Sequence, residues 1–277
     1  MATIPKKVKD RLVTGIKRFQ PILESAKARD VNESDTVLIL TDILSDVFGY
    51  DKYSQITSEL AIRSTYCDLA IKIENKVVVL VEAKAIGHEL KDQHVKQAID
   101  YAANKGVEWA VLSNGVRWRI YRVIFGRPVD MELLVDFQFL QLDPKDETHL
   151  QLLYLLTLEG WTKSAIGEYQ AQREALSRFC LGALMLSEPV LSSLRRELRR
   201  ISPDVKIEIE DISTVLTNEV IKREVIEGEK HEQAKRLVNR SANKLLRVRS
   251  TEVESTPALS GSGPTSGATV SKDTPAT

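Results

Sequence analysis

The stretch Val77-Val78-Val79-Leu80-Val81-Glu82-Ala83-Lys84 closes an apolar run with a carboxylate and an ammonium two residues apart. Side chains at i and i+2 of a strand project to the same side, so Glu82 and Lys84 would emerge together. Asp68 lies fourteen residues before Glu82, in the strand-like segment Tyr66-Cys67-Asp68-Leu69-Ala70-Ile71. The link Glu74-Asn75-Lys76 is turn-like, and a hairpin closed there brings Asp68 beside Glu82. Two acids can hold a hard divalent cation through oxygen. A lysine next to that cation can orient or help deprotonate a water and neutralise developing charge. The expected chemistry is therefore metal-assisted attack by water, with the Asp68–Glu82 pair as its critical part.

The elements around these residues must put them at a sheet edge. Val77 to Val81 suits a strand buried on both faces. Upstream, Val8, Leu12, Ile16, Phe19 and Leu23 form a helical stripe over residues 5–29, whose other face carries eight basic residues against three acidic ones. That face reads either as a solvated helix surface or as one that tracks phosphates. Asn32 is a good N-cap for a helix over 33–48, which Gly49 ends. A strand follows over 54–62, then a turn at Arg63-Ser64-Thr65 and the Asp68 and Glu82 strands. Gly87 breaks the chain before a helix over 89–104, on which His94, Gln97 and Tyr101 share one face. Asn114-Gly115, between Trp109–Ser113 and Val116–Tyr121, predicts a hairpin with a type I′ turn. A strand over 131–139 extends the sheet.

From about residue 145 the pattern turns helical, with Leu150 to Leu158, Tyr169 to Met185 and Pro189 to Arg200. Ile207–Glu210 reads as a short strand and Ile212–Val225 as another helix. Arg195, Arg196, Arg199 and Arg200 offer a contact for a partner. From Thr251 the composition cannot bury a core and predicts disorder. Net charge is +0, so nucleic-acid binding would have to come from local patches. Cys67 and Cys180 exclude a disulfide framework and a cysteine-rich zinc site, and they suggest a reducing compartment. No apolar run spans a bilayer and no signal-peptide pattern opens the chain, so a cytoplasmic location is expected.

Laid side by side, the order α-β-β-β-α-β, Asp68, Glu82-Ala83-Lys84 and Gln97…Tyr101 resemble a PD-(D/E)XK nuclease core. More narrowly, residues 30–125 resemble the N-terminal nuclease domain of type I restriction enzyme R subunits. Leu112-Ser113-Asn114-Gly115 with Trp118 is similar to that family's hairpin. The resemblance implies an α/β, restriction-endonuclease-like αβββαβ core with a mixed sheet, followed by a helical C-terminal region. The expected divisions are an N-terminal helix (1–30), the nuclease-like domain (31–145), the helical region (146–250) and the tail (251–277).

The resemblance also implies catalytic roles for Asp68, Glu82, Lys84, Gln97 and Tyr101. It implies Mg²⁺ held by Asp68, Glu82, the Ala83 carbonyl and an upstream helix acid, best matched by Glu33. The activity it points to is Mg²⁺-dependent DNA endonuclease action of restriction or defence type. The alternative is a catalytically inactive nuclease-fold module that binds nucleic acid or regulates. DNA is the implied partner, with room for a homodimer or for restriction and defence proteins. Two departures stand out: Cys67 replaces the proline frequent before the first acid, and no phosphate-binding Gly-x-x-x-x-Gly-Lys-Ser/Thr loop occurs. A stand-alone module without an ATP-driven motor is therefore expected.

Overall fold

A computed structural model describes residues 3–62 and 65–254, without the side chains of 59–66, 97 and 242–254. The first unit, Met1–Glu174, is built on a sheet. Its elements run α1 (Lys6–Ala28), α2 (Glu33–Asp46), β1 (Ile56–Ile62), β2 (Thr65–Ile73) and β3 (Lys76–Ala83). Then come α3 (Lys96–Lys105), β4 (Trp109–Ser113), β5 (Arg117–Ile124) and β6 (Asp130–Gln138), with α4 (Glu147–Tyr154), α5 (Leu158–Thr162) and α6 (Ala165–Ala175) after them. Among the described residues the strands form one sheet in the order β1-β2-β3-β4-β5-β6. Only β3 and β4 pair in parallel, and α3 is their crossover. The expected mixed α/β sheet is what forms.

Alternation along the strands divides the core. Val79, Val81, Val111, Trp118 and Ile120 pack with α1, α2 and α4 on one face. Leu80, Ala110, Leu112, Tyr121 and Val123 pack with α3 on the other. This double burial is why β3 reads as a continuous apolar run. Val8, Leu12, Ile16, Phe19 and Leu23 of α1 are all buried in the first face, each contributing about 1.5–3 kcal/mol. Gly15 permits the close approach of α1 and α2, since a Cβ there would stand 2.7 Å from a Val47 methyl.

The basic face of α1 is partly committed inside the fold. Lys9 pairs with Glu147, Arg11 with Glu159 at 2.6 Å, and Arg18 with Asp46 at 2.7 Å. These contacts favour the structural reading of that face over the phosphate-tracking one. They also make residues 1–30 part of the sheet-bearing unit and not a separate helix. The chain divides at Glu174/Ala175 and not at 145/146, because Leu150, Leu153, Tyr154, Leu155 and Leu156 enter the core that α1 lines.

The second unit, Ala175–Thr277, is helical. It holds α7 (Arg178–Met185), α8 (Glu188–Ile201), α9 (Ile209–Val215), α10 (Arg223–Ile226) and α11 (Glu229–Glu254). Its small core joins Leu191, Ile212 and Leu216. The strand expected at Ile207–Glu210 is instead the approach to α9 and its first turn, with Glu208 and Asp211 as a capping box. The helix expected over Ile212–Val225 is interrupted by a π turn at Leu216–Val220. Arg195 and Arg200 pair with Glu208 and Glu197, and Arg199 donates to the Ile207 carbonyl. The tail expected to be disordered from Thr251 lies outside the described residues from 255 on, and its first four residues end α11. Arg63 and Ser64 of the expected turn also lie outside them.

Candidate active site

Glu74 and Asn75, both at positive φ (50° and 62°), close the β2–β3 hairpin. The register Leu69↔Val81 sets Asp68 one rung further on, beside Glu82. Asp68 Oδ2 accepts a hydrogen bond from the Ala83 backbone N–H at 2.7 Å, which locks the two strand ends together. One residue past β3, the Lys84 N–H donates to the Ser113 carbonyl at 3.0 Å and so extends the parallel ladder. The Lys84 ammonium donates to Glu82 Oε1 at 2.9 Å and to the Ala83 carbonyl at 2.6 Å. It also lies 3.4 Å from Glu33 Oε2.

Glu33 arrives from the first turn of α2. The Asn32 side chain caps that helix by accepting from the Asp35 N–H at 2.9 Å. The Ile86 N–H donates to the Val31 carbonyl at 3.3 Å, tying the chain beyond Lys84 to this helix start. Gly87 serves a close approach here, since a Cβ would meet Asp30 Oδ1 at 2.2 Å.

Three carboxylates thus face one ammonium. Burial pushes Glu82 above the usual carboxylate range; Lys84 pulls it back while Asp68 and Glu33 push it further. Burial also raises Asp68, against the Ala83 N–H and Lys84. For Lys84, burial works to lower the value, but Glu82, Glu33 and Asp68 outweigh it and hold the ammonium charged. Burial is thus the first cause for the two acids, with Glu33 adding to both, while for Lys84 the neighbouring carboxylates win over burial. Cys67 is no nucleophile: burial, with Glu82 and Asp68 beside it, pushes its thiol up to about 12.

The oxygen donors of Asp68, Glu82 and the Ala83 carbonyl fit a hard cation such as Mg²⁺. Glu33 stands across Lys84 from Glu82, and among the described residues no three His, Cys, Asp or Glu side chains converge enough to hold a metal ion. Gln97 and Tyr101 are on α3, which packs against β3, β4 and β5. The Gln97 side chain lies outside the described ones. Tyr101 packs, half-buried, against the α3-side core.

The helix expected from 89 begins at Lys96, so His94 sits in a 3₁₀ turn, Asp92–His94, ahead of it. Asp92 explains the delay. Its carboxylate accepts from Tyr121 Oη at 2.7 Å and lies 3.3 Å from an Arg119 guanidinium nitrogen, which holds the segment to β5. The His88 and His94 rings lie with centroids 5.1 Å apart, tilted by 58°. Desolvation, His88 and Lys84 hold His94 below its ordinary value.

The hairpin turn differs from the expected type I′. Gly115 has φ +83°, but Asn114 is not at positive φ. Ser113 pairs with Trp118, and three residues, 114–116, connect the end of β4 to the start of β5. Asn114, buried, is the residue that sequence reasoning took for a turn former and missed as a bridge between elements.

Fold and site together define a layered α/β domain with an acid–acid–lysine cluster at the end of its central parallel strands. Residues 39–134, which include β1 to β5, the start of β6 and Asp68, Glu82 and Lys84 but not Glu33, match the family model of the type I restriction enzyme R protein N terminus. The narrower resemblance read from the motifs, to the N-terminal domain of type I restriction enzyme R subunits, is matched over this segment. The chain matches no curated protein and no solved structure. No described helix is long and apolar enough to cross a membrane.

Proposed function

We propose that the first unit is a Mg²⁺-dependent DNA endonuclease of restriction or defence type, with a PD-(D/E)XK site. The observation that carries this reading is the set of Asp68, Glu82 and Glu33 around one ammonium, a formal excess of two negative charges that a divalent cation would cancel. Asp68, Glu82 and the Ala83 carbonyl would hold the cation, with Glu33 close by. The cation, when bound, would supply a Lewis acid and a water of lowered pKa. Lys84, held charged, suits orienting the attacking water and neutralising phosphoryl charge better than removing a proton. Gln97 and Tyr101, on the helix over the same strands, would position water or the DNA backbone.

Supercoiled plasmid, Mg²⁺ and purified protein test this. Nicking or linearisation that stops with chelator and in Asp68→Asn is the expected result. Cleavage unchanged in Asp68→Asn would overturn the assignment.

A second reading, a nuclease-fold module that binds nucleic acid without turnover, is favoured by one contact. Lys84 occupies the Ala83 carbonyl that a cation would take. Salt-dependent DNA binding with no cleavage at any Mg²⁺ concentration would select it. DNA is the partner in both readings. Self-association or assembly with restriction and defence proteins would show as a change in mass on adding duplex or partner.

A further inference from the structure

Asn114 uses its whole side chain. Its Oδ1 accepts from the Val116 N–H at 3.1 Å and the Arg117 N–H at 2.8 Å, which shapes the β4–β5 turn. Its Nδ2 donates to the Ile86 carbonyl at 3.1 Å and the His88 carbonyl at 3.0 Å, on the loop that leaves Lys84. Both amide hydrogens and both oxygen lone pairs are spent, a set of four bonds that aspartate, serine or threonine cannot make. The same loop is gripped two residues further on, where an Arg119 guanidinium nitrogen donates to the Leu90 carbonyl at 3.0 Å. Alternate carbonyls of the segment 86–90 are thus held from the β4–β5 turn and from β5, while its Ile86 N–H is held by Val31 on the other side.

We infer that Asn114 is a positioning residue, whose amide fixes the loop after Lys84 so that the Ala83–Lys84 backbone and the His88–His94 pair keep their places beside the acid cluster. An unconstrained loop of this length would sample many backbone conformations, and ordering it only when substrate arrives would cost binding free energy. A loop clamped beforehand removes that cost. The identity of the side chain follows from this task. With φ not positive, the turn does not need asparagine for its backbone, and what it needs is a donor and an acceptor in one short planar group. The inference rests on the proposed nuclease reading only for its activity readout.

The test compares Asn114→Asp, which keeps shape but sets a carboxylate against two carbonyls, with Ser113→Ala. Ser113 Oγ bonds only within the turn, to the Arg117 carbonyl and the Gly115 N–H. Arg119→Met loosens the same loop from its other anchor and carries the test if Asn114→Asp does not fold. Amide hydrogen exchange of Ile86 and His88 is expected to quicken at least about tenfold in Asn114→Asp, with β4 and β5 still protected. Arg119→Met should quicken it less and Ser113→Ala not at all. On plasmid, kcat/KM should fall about tenfold or more in Asn114→Asp, because the loop must then be ordered when substrate arrives. Unchanged exchange in the loop, equal quickening throughout the sheet, or the same loosening in Ser113→Ala would overturn the inference. If wild type cleaves nothing, the exchange pattern still decides it, and the failure then belongs to the nuclease reading.

Discussion

Arg117, Arg119, Asp92 and Asp136 set two guanidiniums against two carboxylates on β5, β6 and the loop before α3. The rim of β3 sets Asp68, Glu82 and Glu33 against the single ammonium of Lys84. In the first cluster charge balances. Burial alone would raise Asp136, but the flanking guanidiniums hold its carboxyl below the usual range, and Arg117 is raised by Asp136. In the second cluster both buried acids are raised. One network pairs two guanidiniums with two carboxylates, and the other, half-buried, sets three carboxylates against one ammonium. A fold keeps such a mismatch where the missing partner comes from outside, which is why perturbed acids mark sites.

The sharpest way to break the contrast is to neutralise one acid in each cluster. Glu82→Gln should cut Mg²⁺-dependent cleavage by roughly 10²–10³-fold, the order of several kcal/mol of lost transition-state stabilisation. It should not lower the melting temperature of the metal-free protein, since burial, Asp68 and Glu33 all penalise the ionised carboxylate that glutamine replaces. Asp136→Asn should do the reverse, costing about 1–2 kcal/mol of stability while cleavage persists. Parallel plasmid assays and urea titrations read both. Loss of stability in Glu82→Gln matching that of Asp136→Asn would erase the distinction.

Acidification separates the clusters further. Asp136 has a depressed folded pKa, so its contribution is present above the ordinary carboxylate value of about 3.9 and is lost as pH falls through the folded one. Asp68 and Glu82 have raised folded pKa values. Their contribution is full below their ordinary values and is lost as pH rises through the raised ones. In chelator, the stability of Glu82→Gln relative to wild type should therefore improve on going from acid to neutral pH. That of Asp136→Asn should worsen on leaving strong acid. Parallel pH profiles for the two variants would contradict the pairing logic.

A smaller effect is expected from Lys84→Met. Cleavage should fall roughly 10²-fold, and DNA binding should weaken only slightly. An equal loss of binding and cleavage would make Lys84 a phosphate contact only.

Much of this was readable from residue types. The valine run of β3 announced a doubly buried strand, and the Glu74-Asn75 turn placed Asp68 opposite Glu82. What escaped depended on partners distant in sequence. Asn114-Gly115 spells a turn whether asparagine supplies positive φ or a side-chain bridge, and only the carbonyls of Ile86 and His88 decide which. The late start of α3 follows from Asp92 meeting Arg119 and Tyr121, 27 and 29 residues on. Ile207–Glu210 is too short for its alternation to separate strand from helix start. The unit boundary moved because leucines of α4 answer to α1, at the other end of the chain segment.

The central claim is that the β3 rim lacks a divalent cation's worth of positive charge. Titration calorimetry of Mg²⁺ into wild type and Asp68→Ala measures this without DNA or turnover. The predicted result is saturable one-site binding in wild type that is lost, or weakened by at least about tenfold, in Asp68→Ala. Equal binding by both proteins, or none by wild type, would contradict it.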